Sequence, residues 1–283
     1  MTKLDQLADH GQSIWYDFIR RDMLTGSGLA GLVESGIRGV TSIPSIFDQA
    51  ISRTDLYDAQ IAELGAISPE AAFEALAIVD IKGAADVLAP VYEATEGLDG
   101  YVSLEVSPRL AHDTAGTIAD AMRLWSVVDR PNLMVKVPAT PAGIPAIEEL
   151  TASGININAT LMFSLADYEA VAQAYLAGAR RAGDPASLAS VASFFISRVD
   201  SYTDAALERV GTAKALELRG TIAIANAKVA YARFQELFED EGFADLAARG
   251  TRPQRPLWAS TSTKNPDYRD VLYVEELIGP NTV

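Results

Sequence analysis

The chain has 283 residues, 49% of them apolar and 22% charged, the balance of a globular protein with a substantial core; at this length α/β barrels are commonly one domain. A net charge of −15 excludes nucleic-acid binding, which needs a basic face, and no run approaches the roughly 18 apolar residues of a membrane helix. With no cysteine there is no disulfide, thiolate metal site or cysteine nucleophile, which, with no signal peptide, points to the cytoplasm; two histidines, His10 and His112, are too few for a multi-histidine metal site.

In chain order the first predicted strand is "SIWYDF" (13–18), ending near Asp17. "GSGLAG" (26–31) follows; it fits a G-x-G-x-x-G dinucleotide pattern, but the residues before it are "RRDMLT" and not a strand, so it reads as a flexible loop. The second strand is "GVTS" (39–42), running into "IPSIF", where Pro44 stops any ladder and Ile43 puts a branched hydrocarbon among small polar residues. "SPEAAFEALAIVDIKGAADVLAPVYEAT" is rich in Ala, Leu and Glu and reads as helix. Next come the strands "YVSLEV" (101–106), with Glu105 near its end, and "NLMVKVP" (132–138), interrupted by Lys136; the helical "TIADAMRLW" separates them. "ININATLM" (155–162) carries Asn158 and Thr160, and "SVASFFIS" (190–197) runs from Ser193 and Phe195 towards Arg198. After the helical "GTIAIANAKVAYARFQELFEDEGF", "RPLWAST" (255–261) leads to Ser262 and Lys264, and "VLYVEELI" (271–278) is the eighth predicted strand.

Near-continuous apolar strands alternating with helices imply parallel pairing with both sheet faces covered. Eight of them suit a (β/α)8 TIM-type barrel, residues 1–283 forming a single domain, better than an open doubly wound sheet. With "VLYVEELI" as the eighth strand, only "GPNTV" follows, so the expectation includes a missing last helix and a truncated C-terminus.

Barrel active sites form at the carboxyl ends of the strands, where Asp17, Glu105, Lys136, Asn158, Thr160, the 193–198 stretch, Ser262 and Lys264 fall. Lys136 sits in a run that should be buried on both faces. Burial lowers a lysine pKa and supplies the free amine that attacks a carbonyl, whereas an edge-strand lysine would only snorkel to water. Glu105, a carboxylate in the neighbouring strand, is the proton-transfer partner that Schiff-base chemistry requires. Trp15, Trp125 and Trp258 read as core, and the mixed charges of "KVAYARFQELFEDEG" as a solvated face.

"NLMVKVPATPAGIPAIEELTASGININATLMFS" (132–164) resembles the signature of the transaldolase family, and "GVTS-x-PSIF", "YVSLEVSPRLAHDT" and "ASFFISRVD" resemble its other blocks in the same order. The similarity runs from about residue 13 to the last residue, and "WYDFIRRDML" is similar to the longer bacterial branch. The resemblance implies a class I aldolase-type barrel of the pentose phosphate pathway. Such an enzyme moves a dihydroxyacetone unit from fructose 6-phosphate or sedoheptulose 7-phosphate to an aldose phosphate, without cofactor or metal, as monomer or homodimer. It implies Lys136 as the Schiff-base lysine, Asp17 as acceptor of the C4 hydroxyl proton, and Glu105 with a water held by Thr160 as proton shuttle. Asn158 and Ser193 would hold donor hydroxyls, and Arg198, Ser262 and Lys264 the phosphate; the family more often presents Arg at the last position. Related fructose-6-phosphate aldolases tend to carry Gln in place of Glu105 and Tyr in place of Phe195, which favours transfer over simple release. Ile43 departs from the pattern, which normally has Asn there to hold substrate hydroxyls. Competing readings are a relative with altered donor or acceptor choice, or a biosynthetic role, and a catalytically impaired sugar-phosphate-binding paralogue.

Overall fold

The computed structural model describes residues 2–239 and 241–283. Among them seven strands are found: β1 Trp15–Tyr16, β2 Gly39–Val40, β3 Tyr101–Glu105, β4 Leu133–Pro138, β5 Ile157–Met162, β6 Ser190–Phe195 and β7 Arg255–Ala259. They hydrogen-bond in chain order, and helices fill the connections, as parallel pairing demands. This is the strand–helix alternation of a TIM-type α/β barrel. No helix among the described residues is long and apolar enough to cross a membrane. Two compact units make up the chain, one mainly residues 13–136 and the other mainly residues 137–283.

The first unit carries helices α1 Lys3–Asp9, α2 Gly28–Ser35, α3 Pro44–Ser52, α4 Asp58–Leu64, α5 Pro69–Ala94 and α6 Thr114–Val128. α5 starts where propensity places it: the Ser68 hydroxyl accepts from the Ala71 N–H, and Pro69 takes the first helical position. Its Leu76, Ala77, Ile81, Ala84, Ala85 and Leu88 are buried, and α5 packs on β3. The Asn132 amide donates to the carbonyls of Ala85 and Gly100 at 2.9 and 2.8 Å, tying α5 to the strands' entry. The "GSGLAG" stretch expected as a loop is helical from Gly28 onward, and the element before it is a 3-10 turn, Arg21–Leu24. Helix propensity of "LAGLVES" outweighs its glycines there.

The second unit carries α7 Gly143–Ala152, α8 Leu165–Arg181, α9 Ser197–Val210, α10 Ala213–Glu217, α11 Ile222–Phe238, α12 Ala244–Ala247 and α13 Leu272–Glu276. α7 and α8 approach closely at Gly178, where a Cβ would stand 2.5 Å from the Glu148 carbonyl oxygen. The predicted eighth strand, "VLYVEELI", instead holds the helix α13, with Tyr273 buried within it and Leu277 buried just past its end, a spacing of four that suits a helix turn as well as a strand. The place beside β7 goes to residues 282–283: the Val283 N–H donates to the Pro256 carbonyl and the Trp258 N–H to the Val283 carbonyl, both at 2.9 Å. Thr282 in turn bridges Gln12 in parallel.

Candidate active site

Within the first unit, strand ends converge on one lysine. β4 is buried at every position, Lys136 included at 4% exposure, so this lysine does not snorkel. Its Nζ donates to the Ser42 carbonyl at 3.3 Å. Glu105, half-buried at the end of β3, is the register partner of Lys136, which puts both side chains on one face of the sheet. Burial pushes the Lys136 ammonium below the usual lysine pKa, while the carboxylates of Glu105 and Asp17 work against that shift. Burial likewise pushes the Glu105 carboxyl up, with Lys136 pulling it back. The three groups thus form a linked trio.

Asp17 follows β1 and is exposed. The Thr41 hydroxyl donates to its Oδ1 at 2.6 Å, and the Thr41 N–H donates to the Tyr16 carbonyl at 2.9 Å, fixing the two strand ends together. Ser42 donates from its hydroxyl to the Ser103 carbonyl at 2.7 Å, which turns its own carbonyl to Lys136. Thr41 and Ser42 were not among the residues expected in the site. The signal was there: two hydroxyls at the end of a buried strand, where an apolar continuation would pack. Ile43, half-buried, is the N-cap residue of α3 and supplies no side-chain cap. Its carbonyl accepts the Ile46 N–H at 3.0 Å.

The second unit holds the other expected residues. Asn158, Thr160 and Ser193 are 0, 1 and 2% exposed, and the Ser193 hydroxyl donates to Asn158 Oδ1 at 2.7 Å. Ala159 pairs with Ala192 but Met162 with Phe194, so Thr160 and Leu161 together oppose Ser193 in a β-bulge. Leu161 is left-handed, at φ 64°, and 41% exposed. The bulge breaks the regular pairing at Leu161, just after Thr160, and no feature of "ININATLM" announces it. Phe195 is buried, with the Arg198 guanidinium 5.0 Å above its ring and Phe163 against it at 5.1 Å. Arg198 lies exposed in the first turn of α9. Beyond β7, Ser262 and Lys264 are exposed, and Lys264 Nζ donates to the Ser262 hydroxyl at 2.5 Å. Of the expected residues, Asp17, Glu105 and Lys136 are linked electrostatically, and Asn158 with Ser193, Phe195 with Arg198 and Ser262 with Lys264 are in contact, while Ile43 and Thr160 join none of these through a side-chain hydrogen bond or ring contact.

A buried lysine whose ammonium is disfavoured, electrostatically linked to two carboxylates, is suited to add to a carbonyl and exchange the protons that imine formation moves. Paired buried hydroxyl and amide groups suit a polyol, and exposed cations suit an anionic terminus.

The family model for transaldolase/fructose-6-phosphate aldolase matches residues 14–283. A transaldolase of Thermobifida fusca is 51% identical over all of this chain and 78% of its own length. That of Thiobacillus denitrificans is 52% identical over 96% of this chain and 78% of its own length, and that of Mycolicibacterium smegmatis 50% identical over 99% and 77%. With a linked lysine and carboxylates at the ends of parallel strands and this likeness along its whole length, the chain belongs to the transaldolase/fructose-6-phosphate aldolase family and is an enzyme of the transferase kind.

Proposed function

We propose that this chain is a transaldolase that carries a dihydroxyacetone unit from a ketose phosphate to an aldose phosphate on Lys136. The observation that carries the reading is the buried Lys136 amine facing Glu105, in a chain about half identical to transaldolases. The Lys136 amine adds to the C2 ketone of fructose 6-phosphate or sedoheptulose 7-phosphate, and water leaves the carbinolamine with protons exchanged through Glu105 and a water on Thr160. Asp17 takes the C4 hydroxyl proton; the electron pair of the C3–C4 bond moves into the iminium, leaving an enamine and releasing an aldose phosphate. The enamine carbon then attacks the aldehyde of an acceptor, and water returns to free the new ketose. Asn158 and Ser193 hold hydroxyls of the retained fragment, Phe195 walls it, and Arg198, Ser262 and Lys264 take the phosphate. Glu105 and Phe195, where the related aldolases tend to carry Gln and Tyr, support transfer over release to water.

Ile43 favours a variation on the same reading. Where the family pattern has an amide, a hydrocarbon leaves a substrate hydroxyl unpaired at a cost of about 1–3 kcal/mol, which weakens or redirects donor use. A coupled assay of fructose 6-phosphate with erythrose 4-phosphate tests both points. Turnover lost in Lys136→Ala supports the transaldolase reading; equal turnover in that variant contradicts it. Turnover of other ketose phosphates in preference to fructose 6-phosphate supports the variation.

A further inference from the structure

Helix α9 presents Ser197, Asp200 and Asp204 along one face, at i, i+3 and i+7, and each holds the segment 260–273. Ser197 and Ser260 share a hydroxyl hydrogen bond at 2.9 Å, and the Ser197 N–H donates to the Ser260 carbonyl at 3.1 Å. The Tyr268 hydroxyl donates to Asp204 Oδ2 at 2.6 Å, and the Gly220 N–H to Oδ1 at 3.0 Å. The Tyr273 hydroxyl donates to Asp200 Oδ2 at 2.8 Å, and the Ala223 N–H to Oδ1 at 2.7 Å. Asp200 and Asp204 are 1 and 7% exposed, a large investment of buried carboxylate outside the residues assigned to the chemistry. Gly220, at φ 70°, makes room for the Tyr268 ring: a Cβ there would lie 2.9 Å from it.

Ser262 and Lys264 lie exposed between the first two fastenings, where Lys264 Nζ bonds the Ser262 hydroxyl and Asn265 Oδ1 accepts the Asp267 N–H at 3.0 Å. Left unpinned, such a stretch samples many conformers, and each must be given up when an anion binds. We propose that Asp204 and Tyr268 are positioning residues that pre-set the 262–264 loop for a phosphate group and so set affinity for phosphorylated substrates. The inference rests on the transaldolase reading for the role of Ser262 and Lys264.

The test is Tyr268→Phe in the whole chain, which keeps the ring on Gly220 and removes the hydroxyl that bonds Asp204. KM for fructose 6-phosphate is expected to rise about fivefold with kcat within about twofold, and binding of inorganic phosphate by calorimetry to weaken by the same factor. KM for unphosphorylated fructose should not move. Tyr175→Phe is the control: it also loses a tyrosine hydroxyl, this one bonded to the Arg252 carbonyl at 2.6 Å away from the 262–264 loop, and should change neither quantity. Unchanged phosphate binding in Tyr268→Phe overturns the proposal, as does an equal effect in Tyr175→Phe or on fructose. If the wild-type chain turns over no fructose 6-phosphate, the transaldolase reading fails; the phosphate titration then still decides the positioning claim.

Discussion

Lys136 is buried, and that burial together with two carboxylates, Glu105 and Asp17, bears on its charge. Its pKa is lowered by burial, so neutral amine is present at lower pH than for a free lysine near 10.4, and Glu105 restrains that shift. The sign follows directly. The rate of adduct formation with dihydroxyacetone should rise with pH to a plateau, with a midpoint below the free-lysine value. Glu105→Gln, which removes a carboxylate that favours the ammonium, should move that midpoint lower still. A midpoint at or above the free-lysine value contradicts the burial argument. Ile43 allows a separation of two effects at one residue. As an uncapped helix start it should gain about 1 kcal/mol of stability from Ile43→Asn or Ile43→Asp alike, read by thermal unfolding. Only Asn should also raise turnover of fructose 6-phosphate; no gain from Asn would place Ile43 outside the substrate's reach. At this scale the sequence was most legible where a residue contradicted its surroundings, as Lys136 and Glu105 do in apolar strands. Thr41 and Ser42 passed unmarked because hydroxyls at a strand end look like ordinary loop entry.

Among elements, the segment after β1 is held to α5 by a buried network that sequence did not reveal. The Arg21 guanidinium donates to Asp80 at 2.8 Å and stacks 4.4 Å over the Tyr57 ring, and the Tyr57 hydroxyl donates to the other Asp80 oxygen at 2.8 Å. Burial pushes the Asp80 carboxyl up, with Tyr57 and Arg21 drawing it back. Removing the acid strands a cation that is itself only partly exposed, so Asp80→Ala should cost about 2–3 kcal/mol in denaturant unfolding; Tyr57→Phe should cost about 1. A near-neutral Asp80→Ala would show that water replaces the carboxylate. Asp80 reads as one acid in an Ala-rich helix, and only the packing partner gives it meaning. "VLYVEELI" failed for a related reason. Eight residues are too few to separate strand from helix when both periods fit the apolar positions; as a helix the segment places the Tyr273 hydroxyl on Asp200 of α9. The bulge at Thr160 and Leu161 is likewise a matter of register, which composition does not encode.

For the molecule as a whole, the fold class was legible because β2 to β7 are largely buried runs joined by helix-bearing segments, a spacing that favours parallel pairing. The candidate trio of Asp17, Glu105 and Lys136 was legible because neighbouring parallel strands end on the same side, so that charges far apart in sequence can be read together. The mechanism proposed for Lys136 is covalent, and the most direct test is to catch the intermediate. Fructose 6-phosphate and borohydride should leave one stable adduct of a reduced dihydroxyacetone unit, located by peptide mass spectrometry on Lys136 and absent from Lys136→Ala. Full turnover with no adduct, or an adduct on another lysine, would contradict it.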